Sequence, residues 1–301
     1  MTQNGPTMSN TGRSVAIHIG AHKTATTHMQ MSLEASEERL TAKGVRFFGP
    51  KILRKENNSL VDLLNLKVEN HTPKPTRERA AQLEHMFAGG HRLVLSDENF
   101  IGTLNHGGLT MPMPLYPHTA QRVQALAAAV GCGPIEVFVG IRNPTNFLVS
   151  GYSQALMGGS KVSFADYIKA NPVNGVYWPG LIARVRATPG VGSITVWRYG
   201  DYKPLFHQIM ALMTGSPGGV LPAKGRAHRG LSHKAVSEVL EYEGADDFRD
   251  VVKRARETYP AGEKFKPFRP LSEEEHVAAR ADFDSQVAQI RRLSGVRILQ
   301  P

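Results

Sequence analysis

The chain has 301 residues, 41% of them apolar, and a formal net charge of +10, so it can bury a sizeable core and suits an anionic ligand. Its one cysteine, Cys132, excludes an intramolecular disulfide framework and reads as a small side chain at a helix end. No apolar run approaches the ~18 residues of a membrane span, and the polar start MTQNGPTMSNTGR lacks the apolar centre of a secretory signal, which predicts a disordered leader over residues 1–14 and a cytoplasmic protein.

In chain order, Val15-Ala16-Ile17-His18-Ile19 is a β-branched run that predicts a buried parallel strand. Gly20 breaks it, Lys23-Thr24-Ala25-Thr26-Thr27 follows, and helical spacing starts at Met29 and continues to Ala42, with Met29, Leu33 and Leu40 inward. Gly44 separates that helix from a second strand, Val45 to Phe48. Helices are predicted over Asn57 to Asn70 and Thr76 to Ala88, parted at Pro73 and Pro75. A third strand, Arg92 to Ser96, runs into Asp97-Glu98-Asn99. Gly102 to Pro117 has no periodicity and reads equally as a functional loop or as a surface insertion.

Ala120 to Val130 reads as helix and Ile135 to Val139 as the fourth strand; Asn143 then supplies an N-cap and Pro144 the first position of a helix reaching Met157. Helices over Phe164 to Asn171 and Val176 to Ala187 precede a fifth strand, Ile194 to Trp197, and a helix from Asp201 to Met213. Ser216 to Gly230 is a Gly/Pro/basic loop, and the remainder is helical, with a capping-box start at Ser272 to Glu275. Strands alternating with helices imply one α/β domain over residues 15–301. Its central parallel sheet of about five strands occupies about 15–215, flanked by helices, and a mainly helical portion occupies about 231–301.

Two stretches carry chemistry. The first is the turn after the first strand, where a hydroxyl-rich helix start offers unpaired backbone N–H groups at the positive end of a dipole. Aligned on Gly20, the nucleoside-triphosphate pattern G-x-x-x-x-G-K-[ST] fails, because Ala25 stands at the second glycine and Thr26 at the lysine. The lysine comes earlier, at Lys23. The second stretch is GIRNPTNFLVSGYSQAL, where Arg142 leaves the carboxyl end of a strand and Ser150 follows eight residues later, two turns into a helix.

His22-Lys23-Thr24-Ala25-Thr26-Thr27 resembles the 5′-phosphosulfate loop of the sulfotransferases, P-K-[TS]-G-[TS]-[TS], with His22 for proline and Ala25 for glycine. Arg142-Asn143-Pro144 with Ser150, Tyr152 and Ser153 is similar to that family's 3′-phosphate element. The resemblance spans roughly residues 15–215 and implies a P-loop-like fold and a donor, 3′-phosphoadenosine 5′-phosphosulfate, with adenosine 3′,5′-bisphosphate as product. It gives Lys23 the bridging oxygen and sulfonate, Thr26 and Thr27 the 5′-phosphate, with Thr24 and Ala25 in the same loop. Arg142 and Ser150 would take the 3′-phosphate, and the basic loop Lys224 to Gly230 could add Arg226 and Arg229 or be only a solvated surface loop.

The acceptor, a hydroxyl or amine on a carbohydrate, lipid head group or small metabolite, needs a general base. Glu98, following a strand end, is the first candidate and resembles the S-[SD]-E run of bacterial members; His22 and His28 are rivals, and His18 reads as a packed core histidine. No metal is expected, nor nucleic acid as partner. Two other readings stay open. One is a nucleotide-dependent kinase, weakened by the missing lysine at position 26. The other is a non-catalytic polyanion-binding protein, for which His22 and Ala25 leave room.

Overall fold

The computed structural model describes residues 12–55, 81, 84–104, 109–131, 133–224 and 230–301. Its centre is a six-stranded, all-parallel sheet in the order β2-β3-β1-β4-β5-β6. The strands are β1 (Ser14–His18), β2 (Val45–Phe48), β3 (Arg92–Ser96), β4 (Ile135–Ile141), β5 (Val191–Arg198) and β6 (Val296–Ile298). Five were expected, and the sixth is Val296-Arg297-Ile298, so the helical C-terminal portion returns to the sheet. Ser14, assigned to the leader, pairs with Arg92 as the first residue of β1. The predicted helix from Asn57 to Asn70 lies outside the described residues, as do most of the one over Thr76 to Ala88, Cys132, Arg226 and Arg229.

Period-two alternation along buried strands divides the core in two. Val15 and Ile17 of β1 pack with Leu93, Leu95, Val137 and Val139 on one face. That face is covered by α4 (Thr119–Val130), α5 (Pro144–Met157) and α7 (Trp178–Arg186). Ala16 joins Val94, Phe138 and Trp197 on the other face, beneath α1 (Thr26–Glu34), α2 (Glu37–Thr41) and α8 (Tyr202–Thr214). Among the described residues the further α-helices are α3 (Pro50–Leu53), α6 (Phe164–Ala170), α9 (His233–Glu241), α10 (Phe248–Thr258) and α11 (Glu273–Arg291), the last leading into β6.

The helix expected over 29–42 is two helices, broken at Ala35-Ser36, although Met29, Leu33 and Leu40 are all buried as the spacing required. Ser36 is buried at the break and its hydroxyl accepts from Leu221 N–H at 3.3 Å. The loop after Gly102 is not a surface insertion, because Met111, Leu115 and Tyr116 are buried in the core. Asn143 caps α5 as expected, accepting from Thr145 N–H and Asn146 N–H, with Pro144 at the first position.

Because the chain visits β2 and β3 on one side of β1 and then crosses to β4 on the other, the carboxyl ends of β1, β3 and β4 adjoin at the point where the strand order reverses. Open α/β sheets bind ligands there.

At the opposite end of the sheet, Arg92 is buried and forks onto Glu136 at 2.6 and 3.1 Å, while its Nε and Nη2 donate to the carbonyls of Met213 and Leu212. One side chain therefore ties β3, β4 and the end of α8. Arg92→Leu removes donors from buried carbonyls and strands a half-exposed carboxylate, so we expect a loss of about 2–4 kcal/mol, read as a lower urea midpoint with unchanged slope.

Candidate functional site

The carboxyl ends of β1, β3, β4 and β5 open on a cleft of about 460 Å³. Its floor is the turn between β1 and α1. Gly20 has φ +103, and a Cβ there would stand 3.1 Å from Glu98 Cβ, so the turn and the end of β3 approach as closely as glycine allows. Ala21 N–H donates to Gly140 O at 2.9 Å and Gly140 N–H to Gly20 O at 2.7 Å, which fastens the turn to β4. Thr24 is fully buried and donates to Ala21 O at 2.6 Å, so it shapes the loop from beneath and does not line the cleft.

Lys23 and Ala25 both take left-handed backbone, φ 63 and 69. That double reversal starts α1 at Thr26, ahead of the Met29 start that periodicity marked, and puts Thr26 and Thr27 in its first turn. No side chain caps α1, so its first N–H groups are available beside Lys23, Ala25, Thr26 and Thr27, which all line the cleft.

Arg142, at the end of β4, enters the same cleft. Its Nη1 donates to Lys23 O at 2.9 Å, its guanidinium lies 4.6 Å from the centre of the Tyr199 ring, and its buried Nε has no hydrogen-bond partner among the described residues. Trp178 Nε1 holds its backbone carbonyl at 2.7 Å. Ser150 lines the cleft from α5, on one helical stripe with Ser153, Gln154 and Met157.

On the other side stands Glu98. Its Oε2 accepts from Gln30 Nε2 at 2.9 Å and its Oε1 from Arg54 Nη2 at 2.9 Å; Arg54 also forks onto the buried Asp97. Burial opposes the charge of Glu98, but Gln30, its own backbone N–H and Arg54 outweigh it and hold the carboxyl below its ordinary value. Lys23 moves the other way. Burial first, and then the charges of Arg142 and Arg256, lower its ammonium to about 8 against the pull of Glu98.

The three histidines separate clearly. His22 is buried, with Nδ1 2.8 Å from Tyr116 Oη and Nε2 2.9 Å from Asn99 Oδ1. Burial keeps Tyr116 protonated and His22 neutral, so Tyr116 donates to Nδ1 while Nε2–H donates to Asn99. His28 faces α8, with Nδ1 2.9 Å from Tyr202 Oη, and does not line the cleft. His18 is a packed histidine: it bonds Ser96 Oγ at 2.8 Å, stacks on Trp197, and is lowered to about 4 by burial.

Arg54, Asn99, Tyr199 and Arg256 line the cleft and were missed from sequence. Tyr199 was findable, since it directly follows β5 as Arg142 directly follows β4, and Glu98 stands two residues past the end of β3. Among the described residues, the loop from Gly102 to Pro117 contributes no lining residue; Tyr116 touches His22, which does line the cleft. Among the described residues, no group of three or more His, Cys, Asp or Glu could hold a metal ion, and no helix is long and apolar enough to cross a membrane.

No family model matches the chain, and no curated protein matches it. Among solved structures it is similar to a sulfotransferase from Alicyclobacillus acidocaldarius, with 14% identity, a TM-score of 0.44, and coverage of 72% of this chain and 87% of that one. A likeness this distant carries no chemistry with it.

Ala25 offers a direct check on the loop. Left-handed backbone costs an alanine about 1–2 kcal/mol, and glycine returns about 0.4–1 kcal/mol of that through its freer unfolded chain. Ala25→Gly should therefore raise stability by about 0.5–1 kcal/mol, visible as a higher denaturant midpoint at unchanged slope.

Proposed function

We propose that the chain is a sulfotransferase that moves a sulfuryl group from 3′-phosphoadenosine 5′-phosphosulfate to a hydroxyl or amine. The observation that carries this reading is the convergence, on one cleft, of an uncapped helix start, Lys23, Arg142, Ser150 and Glu98, supplied by four separate elements.

The residues suit such a ligand. The first N–H groups of α1, with the Thr26 and Thr27 hydroxyls, would hold the 5′-phosphate, and Lys23 would neutralise charge on the oxygen that leaves. Arg142 keeps a buried Nε without a partner among the described residues, which a 3′-phosphate beside Ser150 would satisfy. The Tyr199 ring, held against the guanidinium, offers a face for the base. The donor, when bound, supplies an activated sulfuryl group on a phosphate leaving group.

Glu98 is ionised at neutral pH and would take the proton of the acceptor. His22 has neither ring nitrogen available for that task. A kinase reading gains nothing here, because position 26 is a threonine where that pattern has its lysine.

Calorimetric titration of the full chain with adenosine 3′,5′-bisphosphate tests this. We expect micromolar affinity, much weaker binding of ATP with Mg²⁺, and a loss of at least about tenfold in Arg142→Ala. Tighter binding of ATP with Mg²⁺ would sink the proposal. The pH dependence has a defined sign. Lys23 loses its proton near 8 in the free protein, and a bound anion raises that value, so binding should take up about half a proton at pH 8 and weaken above it. Titration in two buffers of different ionisation enthalpy measures that uptake.

A further inference from the structure

Lys23 is fixed at its backbone and free at its head. Its φ of 63 belongs to the turn pinned against β4, and its carbonyl accepts from Arg142 Nη1 at 2.9 Å. Lys23 lines the cleft, yet its ammonium has no hydrogen-bond or salt-bridge partner among the described residues. Glu98, the acid that draws on it, uses its two oxygens to accept from Gln30 and Arg54, each at 2.9 Å.

Two kinds of chemistry therefore meet in one loop. Three residues after Lys23, α1 begins without a side-chain cap, and Thr26 and Thr27 line the cleft in its first turn, which suits a phosphate. Beside it stands an amine that burial first, and then Arg142, lower to about 8. An ordinary lysine has under about a thousandth of its amine unprotonated at pH 7, and one titrating near 8 has roughly a tenth. The unprotonated amine is a nucleophile toward carbonyl carbon. A cleft of about 460 Å³ has room for a small molecule that carries both a phosphate and a carbonyl.

We propose that Lys23 is a reversible covalent modification site for small aldehydes that carry a phosphate. The phosphate lies at the start of α1 and Lys23 Nζ adds to the aldehyde carbon. The carbonyl oxygen then leaves as water with both hydrogens of the amine, a C=N bond replaces C=O, and nothing is oxidised or reduced. The imine takes up a proton and keeps the positive charge in the loop, and water reverses the step. While the adduct stands, the loop receives no other anion, so such aldehydes block the cleft. The assignment needs the loop to hold a phosphate and does not need the donor reading above.

The probe is pyridoxal 5′-phosphate, compared with 5-deoxypyridoxal, which has the same aldehyde and ring but no phosphate. Each is mixed with the full chain at the Lys23 midpoint of about 8, reduced with borohydride, and located by peptide mass mapping. We expect one dominant adduct, on Lys23, formed about tenfold or more in favour of the phosphate-bearing aldehyde, since only that one makes charge-assisted bonds at the helix start. Thr27→Val should lower the yield from pyridoxal 5′-phosphate and leave that from 5-deoxypyridoxal unchanged. Thermal unfolding reports whether this variant folds, and the comparison of the two aldehydes on the wild type does not depend on it. Labelling of Lys23 no stronger than that of the exposed Lys169 and Lys264, or equal labelling of Lys23 by both aldehydes, would overturn the assignment. Adenosine 3′,5′-bisphosphate separates this inference from the donor reading, under which it protects Lys23. Phosphate-dependent labelling that the bisphosphate does not block would count against the donor reading and uphold this assignment.

Discussion

Two backbone hydrogen bonds govern the cleft: Ala21 N–H to Gly140 O and Gly140 N–H to Gly20 O. They extend the β1–β4 pairing past the end of β1 and hold the turn against the neighbouring strand. Gly140 must lack a side chain for this, because a Cβ there would stand 2.8 Å from Thr24 Oγ1. With the turn pinned, the chain has few residues in which to reverse and enter a helix, and it does so through left-handed backbone at Lys23 and Ala25. That reversal aims the start of α1 into the cleft. It also presents Lys23 O to Arg142, two residues beyond Gly140, so the loop and the arginine are set by the same contact.

The electrostatics follow from crowding. Lys23, Arg142 and Arg256 lie close enough that each arginine lowers the lysine, and Glu98, the acid that draws Lys23 upward, is shared with Arg54. Burial of these cations costs solvation that hydrogen bonds only partly return. An anion in the cleft offsets both the repulsion and the lost hydration, so ligand affinity and fold stability are coupled at this site.

Much of the fold was legible because buried parallel strands read as β-branched runs, and five of them stand out at Val15, Val45, Arg92, Ile135 and Ile194. The sixth did not, since Val296-Arg297-Ile298 is three residues long and its middle side chain is exposed at the sheet edge. Lys23, Arg142 and Ser150 were legible from spacing, and the structure brings them to one cleft. Arg54 and Arg256 had no spacing to betray them. The place of each depends on how a distant segment packs, Arg54 against Asp97 and Arg256 beside Met157. His22 shows the opposite limit. Its position beside Lys23 suggested a base, and its own burial between Tyr116, a residue 94 positions away, and Asn99 withdraws it.

That withdrawal leaves Glu98 as the proposed base, whose carboxyl is held low, and low basicity would count against the proposal if the proton had to leave early. Transfers of this kind pass through loose transition states in which the acceptor oxygen becomes acidic only as its new bond forms. A carboxylate ionised at every physiological pH then needs position more than basicity. Position is what the surroundings of Glu98 supply: Gln30 on one oxygen, Arg54 on the other, and the Gly20 backbone packed against its Cβ. Gln30 belongs to α1, the helix that begins at Thr26, so the groups proposed to hold the leaving phosphate and the group proposed to take the proton are fixed to one element. Their separation is therefore a property of the fold and not of side-chain freedom, which is the condition an in-line transfer imposes.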